Sequence, residues 1–243
     1  MTNPNPEDTA PLFNMLRGAA PVLVPFTQDR IVDELWHRPG LSARDRAIAT
    51  VVTLMARNAQ NAYPYYFNKA LDSGVTSAEF SELVTHTAFY AGWPNAFAAA
   101  GVLKGIFDER GVAVEDLPTV EEARLPTEVA VPDDALRAAY IAAHIAPASE
   151  ALQHFTNDLL YANLWHRPAL EPRDRALATV ALLAALGQSA FFPVYLTRAL
   201  TQGVTRTEVG EMLAHTAFYG GWGYAIQAAE AAKSVFDAQD AGA

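Results

Sequence analysis

Glu82, His86 and Tyr90 stand four residues apart, a spacing that lines them along one stripe of a helix. Histidine exchanges protons near neutral pH, and a carboxylate one turn away can fix its tautomer. The trio therefore reads as a pocket wall, with His86 as acid or base, Glu82 as its orienter and Trp93 extending the same side. It returns as Glu211, His215 and Tyr219, followed by Trp222. The plainer alternative is a buried pair that ties its hairpin to a neighbour. Repetition does not choose between these, because a duplication copies structural residues too. A third reading is a metal site, with His37 or His166 joining the Glu–His pair. His-Glu-x-x-His is absent, however, and such a site needs three or four convergent ligands, so no metal is expected. Arg38 and Arg46, with their copies Arg167 and Arg175, have the forked geometry that grips a carboxylate. Arg46 lies between Asp45 and the helix interior, and a structural ion pair near the helix start is the favoured reading there. Trp36 and Trp165 fall in loops that cap the core, where a pocket role is also open; Phe89 and Phe218 are assigned to the core.

These residues recur because the chain contains one stretch twice, at an offset of 129 residues. Trp36 pairs with Trp165, Arg46 with Arg175, Gly74 with Gly203 and His86 with His215. Half of the positions from Leu35 to Asp108 are identical to their partners, without a gap. Such a repeat fixes the architecture before any other reading. It divides the chain into a first unit over residues 12–110, a linker over 111–135 and a second unit over 136–239, with residues 1–11 as an unstructured lead. Within a unit the signals are helical. Ser42/Asp45 and Thr76/Glu79 have capping-box spacing, Tyr63-Pro64 opens a helix, and Gly74 and Gly92 close two. The run 47–55 is apolar nearly all round, as a fully buried helix would be, and an alanine-rich last helix is expected over 95–108. Strand signals are nearly absent, so the fold class is all-α, with helices paired in antiparallel hairpins. The linker is acidic and carries prolines 118, 126 and 132; it reads as extended and solvated.

Composition narrows the function. The formal net charge is −10 over 243 residues, which argues against nucleic acid and anionic membranes as partners. There is no cysteine, which excludes disulfides, thiolate catalysis and zinc–cysteine sites, and fits a cytoplasmic location. No apolar run reaches the ~20 residues of a membrane span, and the polar start does not resemble a signal peptide.

Three motifs in order, Trp-His-Arg-Pro-x-Leu-x-x-Arg-Asp-Arg, Ala-Leu-x-x-Gly-Val-Thr-x-x-Glu and Glu-x-x-x-His-x-x-x-Tyr-x-Gly-Trp, resemble the carboxymuconolactone decarboxylase family over nearly the full length, twice. The resemblance implies an all-helical fold shared with the AhpD-type alkylhydroperoxidases. It implies cofactor-free chemistry on small carboxylated lactones in some members and thiol peroxidase chemistry in others. It also implies single-domain trimers or hexamers, so that a trimer of these tandem chains would resemble a hexamer. The peroxidase pattern Cys-x-x-Cys-x-x-x-His aligns with Ala59, Ala62 and Tyr66 in the first copy, and with Gln188, Phe191 and Tyr195 in the second. Without cysteine no sulfenic intermediate can form. Tyr66 and Tyr195 stand where a catalytic histidine is usual.

The resulting expectation is a cofactor-independent lyase, carrying out decarboxylation, lactone opening or an acid–base rearrangement on a small oxygenated substrate. The alternative is a ligand-binding or scaffold protein that retains the fold. The catalytic candidates are His86, His215, Glu82, Glu211, Tyr66 and Tyr195. The substrate-binding candidates are Trp36, Arg38, Arg57, Asn61, Tyr90, Trp93, Trp165, Arg167, Tyr219 and Trp222. The copies diverge sharply before the two tyrosines, where 57–63 carries Arg57, Asn58, Gln60 and Asn61 against a mostly small or apolar 186–192. If that junction lines the pocket, the first copy, with His86, is the specialised one.

Overall fold

The computed structural model describes residues 6–242, with side chains from residue 11, and among them there is no strand. Helix α1 spans Pro6–Ala19, so residues 6–11, expected as an unstructured lead, are helical; residues 1–5 lie outside the described residues. The first repeat then contributes α2 (Ala43–Ala56), α3 (Tyr63–Asp72), α4 (Ser77–Ala91) and α5 (Trp93–Arg110). After the linker, α6 (Asp134–His144) leads into α7 (Pro172–Ala185), α8 (Phe192–Thr201), α9 (Arg206–Tyr219) and α10 (Trp222–Gly242). The helices α2 to α5 begin 129 residues before α7 to α10, so the repeat holds at the level of each helix start.

Local chemistry sets these starts. Ser42 accepts from the Asp45 amide, and full capping boxes link Thr76 with Glu79 and Thr205 with Glu208. Gly74 and Gly203 turn the chain with φ of +98° and +97°, a region closed to most side chains. Pro64 and Pro172 sit in first turns, where a missing amide proton costs nothing.

Helices α2 and α7 form the centre and pack on each other; α9 lies across α2 and α4 across α7. The histidine-bearing helix of each repeat therefore rests on the central helix of the other. Twelve residues of α2, Asp45 to Ala56, are all buried, as are Asp174 to Ala185 of α7. Ile48, Val51, Val52 and Met55 are fully enclosed, each worth about 1.5–3 kcal/mol relative to exposure. One continuous core runs through both repeats. The ends of the central helices are cross-braced: Arg44 meets Asp174 at 2.7 Å, and Arg173 meets Asp45 at 3.0 Å.

The linker has only short turns, at Val114–Asp116 and Thr127–Ala130, and lies against the second repeat. The Leu125 amide donates to the His166 carbonyl at 2.8 Å, and Ala130 and Val131 are buried beside Tyr161 and Trp165. Most of its acidic groups are exposed, but Glu122 is half-buried, 3.8 Å from Arg167. Phe218, expected in the core, is exposed and packs on Trp222 across the surface; Phe89 is partly buried beside Trp93.

Two candidate active sites between the repeats

The crossing of α4 over α7 brings Glu82, His86 and Tyr90 against Trp165, Arg167, Arg175, Thr179 and Tyr195. Glu82 is 1% exposed. The Arg167 Nε–H reaches both of its oxygens, at 2.8 and 2.9 Å, and Arg175 Nη2 donates to Oε1 at 2.9 Å. His86 is fully enclosed, with Nε2 at 2.7 Å from the Thr179 hydroxyl and Nδ1 at 3.4 Å from Arg175 Nη1. Thr179 spends its own proton on the Arg175 carbonyl at 2.8 Å, so Nε2 is the donating nitrogen and Nδ1 carries the lone pair. Burial and then the Arg175 charge push the imidazole well below its ordinary pKa and keep it neutral. Farther out, the Trp165 indole donates to the Tyr90 hydroxyl at 2.9 Å, and the Tyr161 and Tyr195 hydroxyls meet at 2.9 Å. Burial raises both Tyr90 and Tyr195, so both stay protonated.

The crossing of α9 over α2 builds the second site from the same parts. Arg38 grips Glu211 with a two-pronged contact at 2.8 and 2.9 Å, and Arg46 lies 3.6 Å from the same carboxylate. The hydrogen bonds from Arg38 hold Glu211 below the usual carboxylate range. Arg46 Nη1 lies 3.2 Å from His215 Nε2, and the Thr50 hydroxyl 2.9 Å from Nδ1. A guanidinium can only donate, so here Nε2 holds the lone pair and Nδ1 the proton. Burial, followed by Arg46, lowers His215 from 6.5 to about 3. The Trp36 indole donates to Tyr219 at 2.8 Å, and Tyr219 donates to Tyr66 at 2.9 Å. Burial pushes Tyr66 up to about 12.

The sequence pattern of the carboxymuconolactone decarboxylase family matches residues 29–105 and 150–234, which together exceed half of the chain. The chain belongs to the carboxymuconolactone decarboxylase family. Among curated relatives, the chain is 33% identical over 82 residues to the 4-carboxymuconolactone decarboxylase of Acinetobacter baylyi, covering 34% of this chain and 61% of that protein. It is 32% identical over 90 residues to the nitrosuccinic acid decarboxylase npaB of Metarhizium robertsii, covering 35% and 62%. The chain thus spans about three fifths of the length of these relatives.

This carboxymuconolactone decarboxylase family member gathers most of the residues its sequence singles out, but across the repeats. Tyr66 lies with His215, and Tyr195 with His86. Arg46 serves the second site through Glu211, His215 and the Leu35 and Arg38 carbonyls, instead of pairing with Asp45. Glu82 holds arginines; it does not orient its histidine. His37 and His166 turn to the backbone carbonyls of Val32 and Tyr161, away from the glutamates. Both oxygens of Glu82 are occupied by guanidinium groups, and no cluster of three metal-ligating side chains occurs among the described residues. Trp93 and Trp222 are exposed on Phe89 and Phe218, outside both sites. Arg57 and Asn61 are exposed as well, and Arg57 stacks on Tyr224 at 4.7 Å. The divergent junction is therefore surface, where polarity carries no information about a pocket. Sequence reasoning missed Thr50, Thr179, Lys69, Arg198, Tyr161 and Asp133. The signal for the threonines was a hydroxyl at the same place in two otherwise apolar helices, and for Lys69 and Arg198 a cation at one offset in both copies.

Proposed function

We propose that the chain is a decarboxylase for a small carboxylated substrate, with its proton chemistry carried by tyrosine at the sites between the repeats. The observation that carries this reading is the directed chain of hydrogen bonds from the Trp36 indole through Tyr219 to Tyr66, which leaves the Tyr66 proton free to be donated onward. The names of the two relatives, both decarboxylases, support it. In such a reaction the C–C bond to the carboxylate breaks, CO2 leaves, the electron pair stays on the substrate and a proton replaces the lost group. Tyr66, kept neutral by burial, is suited to donate a hydrogen bond or proton as negative charge develops, and it regains a proton from solvent. The neutral, enclosed histidine positions the arginine and threonine beneath, and is not itself the acid.

The test is CO2 release from 4-carboxymuconolactone, nitrosuccinic acid and a panel of small lactone, keto and nitro acids. CO2 from at least one, falling on the order of 10²-fold in Tyr66→Phe, is the expected result. No CO2 from any member would count against the reading. The competing reading is a binding protein without turnover, favoured by the contacts through which Glu82, Arg175 and His86 hold the repeats together. Ligand binding without CO2 would establish that instead.

A further inference from the structure

The two sites share their buried floors but not their mouths. In the His86 site the outer cation is Arg198, 2% exposed, which lies 4.5 Å from the Trp165 ring centre and 5.1 Å from that of Tyr195. Asp133 neutralises it with a two-pronged contact at 2.7 and 2.9 Å. Tyr161 caps the Tyr195 hydroxyl, the linker residues Ala130 and Val131 are buried alongside, and Arg167 beneath is 9% exposed. In the His215 site the position of Arg198 is held by Lys69, 4.3 Å from the centre of the Trp36 ring. The position of Tyr161 is Val32, which has no hydroxyl. Lys69 has no ion pair or hydrogen bond among the described residues; the acid that acts on it, Asp72, is held by Arg110 at 2.8 Å. Among the described residues the Tyr66 hydroxyl is met by Tyr219, with no counterpart of Tyr161, and Arg38 is 45% exposed.

We infer that the His215 site alone receives substrate, with Lys69 and Tyr66 binding an oxyanion of the substrate between them, whereas the His86 site is closed by an internal substitute for that anion, Asp133. A half-buried ammonium without a counter-ion is costly unless a ligand supplies one. Asp133 does this permanently in one site, and a carboxylate or charge-bearing oxygen of the substrate does it in the other. Departing CO2 carries no charge, so a cation that held the leaving carboxylate would favour the ground state. Lys69 is matched to a second carboxylate that stays, or to the oxygen that collects charge as CO2 departs. That assignment of the anion rests on the decarboxylase reading; the existence of one open anion site does not.

The experiment is calorimetric titration with succinate, and with its neutral diamide, which needs no turnover. The wild-type chain is expected to bind one equivalent of succinate and no diamide. Lys69→Met, nearly isosteric, is expected to weaken binding about tenfold to a hundredfold, with Tyr66→Phe weaker than wild type as well. A Tyr161→Val/Asp133→Asn double variant, which takes the capping hydroxyl and the internal anion from the His86 site and leaves Arg198 in need of one, is expected to bind a second equivalent. Two equivalents in the wild type, no binding, unchanged affinity in Lys69→Met, or a single equivalent in the double variant would each overturn the inference. Binding as described without CO2 release from any substrate would remove the decarboxylase reading and leave the anion site standing.

Discussion

Glu82 and Glu211 occupy equivalent positions and make equivalent contacts, yet they differ in how much depends on them. Glu82 neutralises Arg175, which is fully enclosed, and Arg167, which is nearly so. Removing that charge strands buried guanidinium groups, so Glu82→Gln is expected to cost about 3–5 kcal/mol in urea unfolding. Glu211 divides its charge between the half-exposed Arg38, which water can solvate in its absence, and the enclosed Arg46, which lies farther off at 3.6 Å and keeps the Leu35 and Arg38 carbonyls as acceptors. Glu211→Gln is expected to cost clearly less, and equal losses would show the two sites to be equally closed. The histidines set the pH response. His215 is held neutral down to about 3, and His86 shifts the same way, whereas an unfolded imidazole takes up its proton near 6.5. The unfolded state then binds more protons than the folded state, and stability falls as pH drops from about 6.5 toward about 3. The lowered Glu211 adds to the fall at the acid end. Melting temperatures across this range check the sign; a rise on acidification from pH 7 to 5 would mean that the rings gain a partner on protonation.

At the scale of helices, much was legible in the sequence and one relation was not. Starts and stops followed from Ser42, Thr76, Pro64, Gly74 and Gly92, because caps and positive-φ turns are local chemistry. The stripe Glu82–His86–Tyr90 was legible for the same reason. Its partners were not. A duplicated chain offers every residue two equivalent neighbours, one in its own repeat and one in the other, and a single sequence does not say which is used. The sequence alone therefore leaves Tyr66 beside either histidine, and helix crossing gives it to His215. The exposed junction at Arg57 misled for a different reason, since polar residues look alike in a pocket and on a surface. One asymmetry between helices does follow from the structure. A Cβ on Gly40 would meet Glu211 Cγ at 2.8 Å and Thr207 Cγ2 at 3.0 Å, whereas the equivalent position in the second repeat is Ala169. Gly40→Ala is expected to displace Glu211 from Arg38 and to cost roughly 1–3 kcal/mol by overpacking. Unchanged stability would mean that the entry loop is looser than its packing implies.

At the scale of the whole molecule, the two repeats are one folding unit with a shared core, cross-braced at the central helix starts by Arg44–Asp174 and Arg173–Asp45. Trp93 and Phe97 of α5 are 45% and 67% exposed, and the equivalent Trp222 and Ile226 of α10 are 58% and 53% exposed. Paired apolar patches related by the internal repeat suit symmetric burial against further copies. A homo-oligomer is expected, with a trimer of chains as the favoured form; light scattering at the 26.2 kDa of a single chain would contradict it. The proposed chemistry takes place at one composite site, with Tyr66 from the first repeat above His215 from the second. The most direct measurement is CO2 release by Tyr66→Phe and Tyr195→Phe side by side on the same substrate. The expected result is a loss on the order of 10²-fold in Tyr66→Phe and near wild-type turnover in Tyr195→Phe. Equal losses, or a larger loss in Tyr195→Phe, would contradict it.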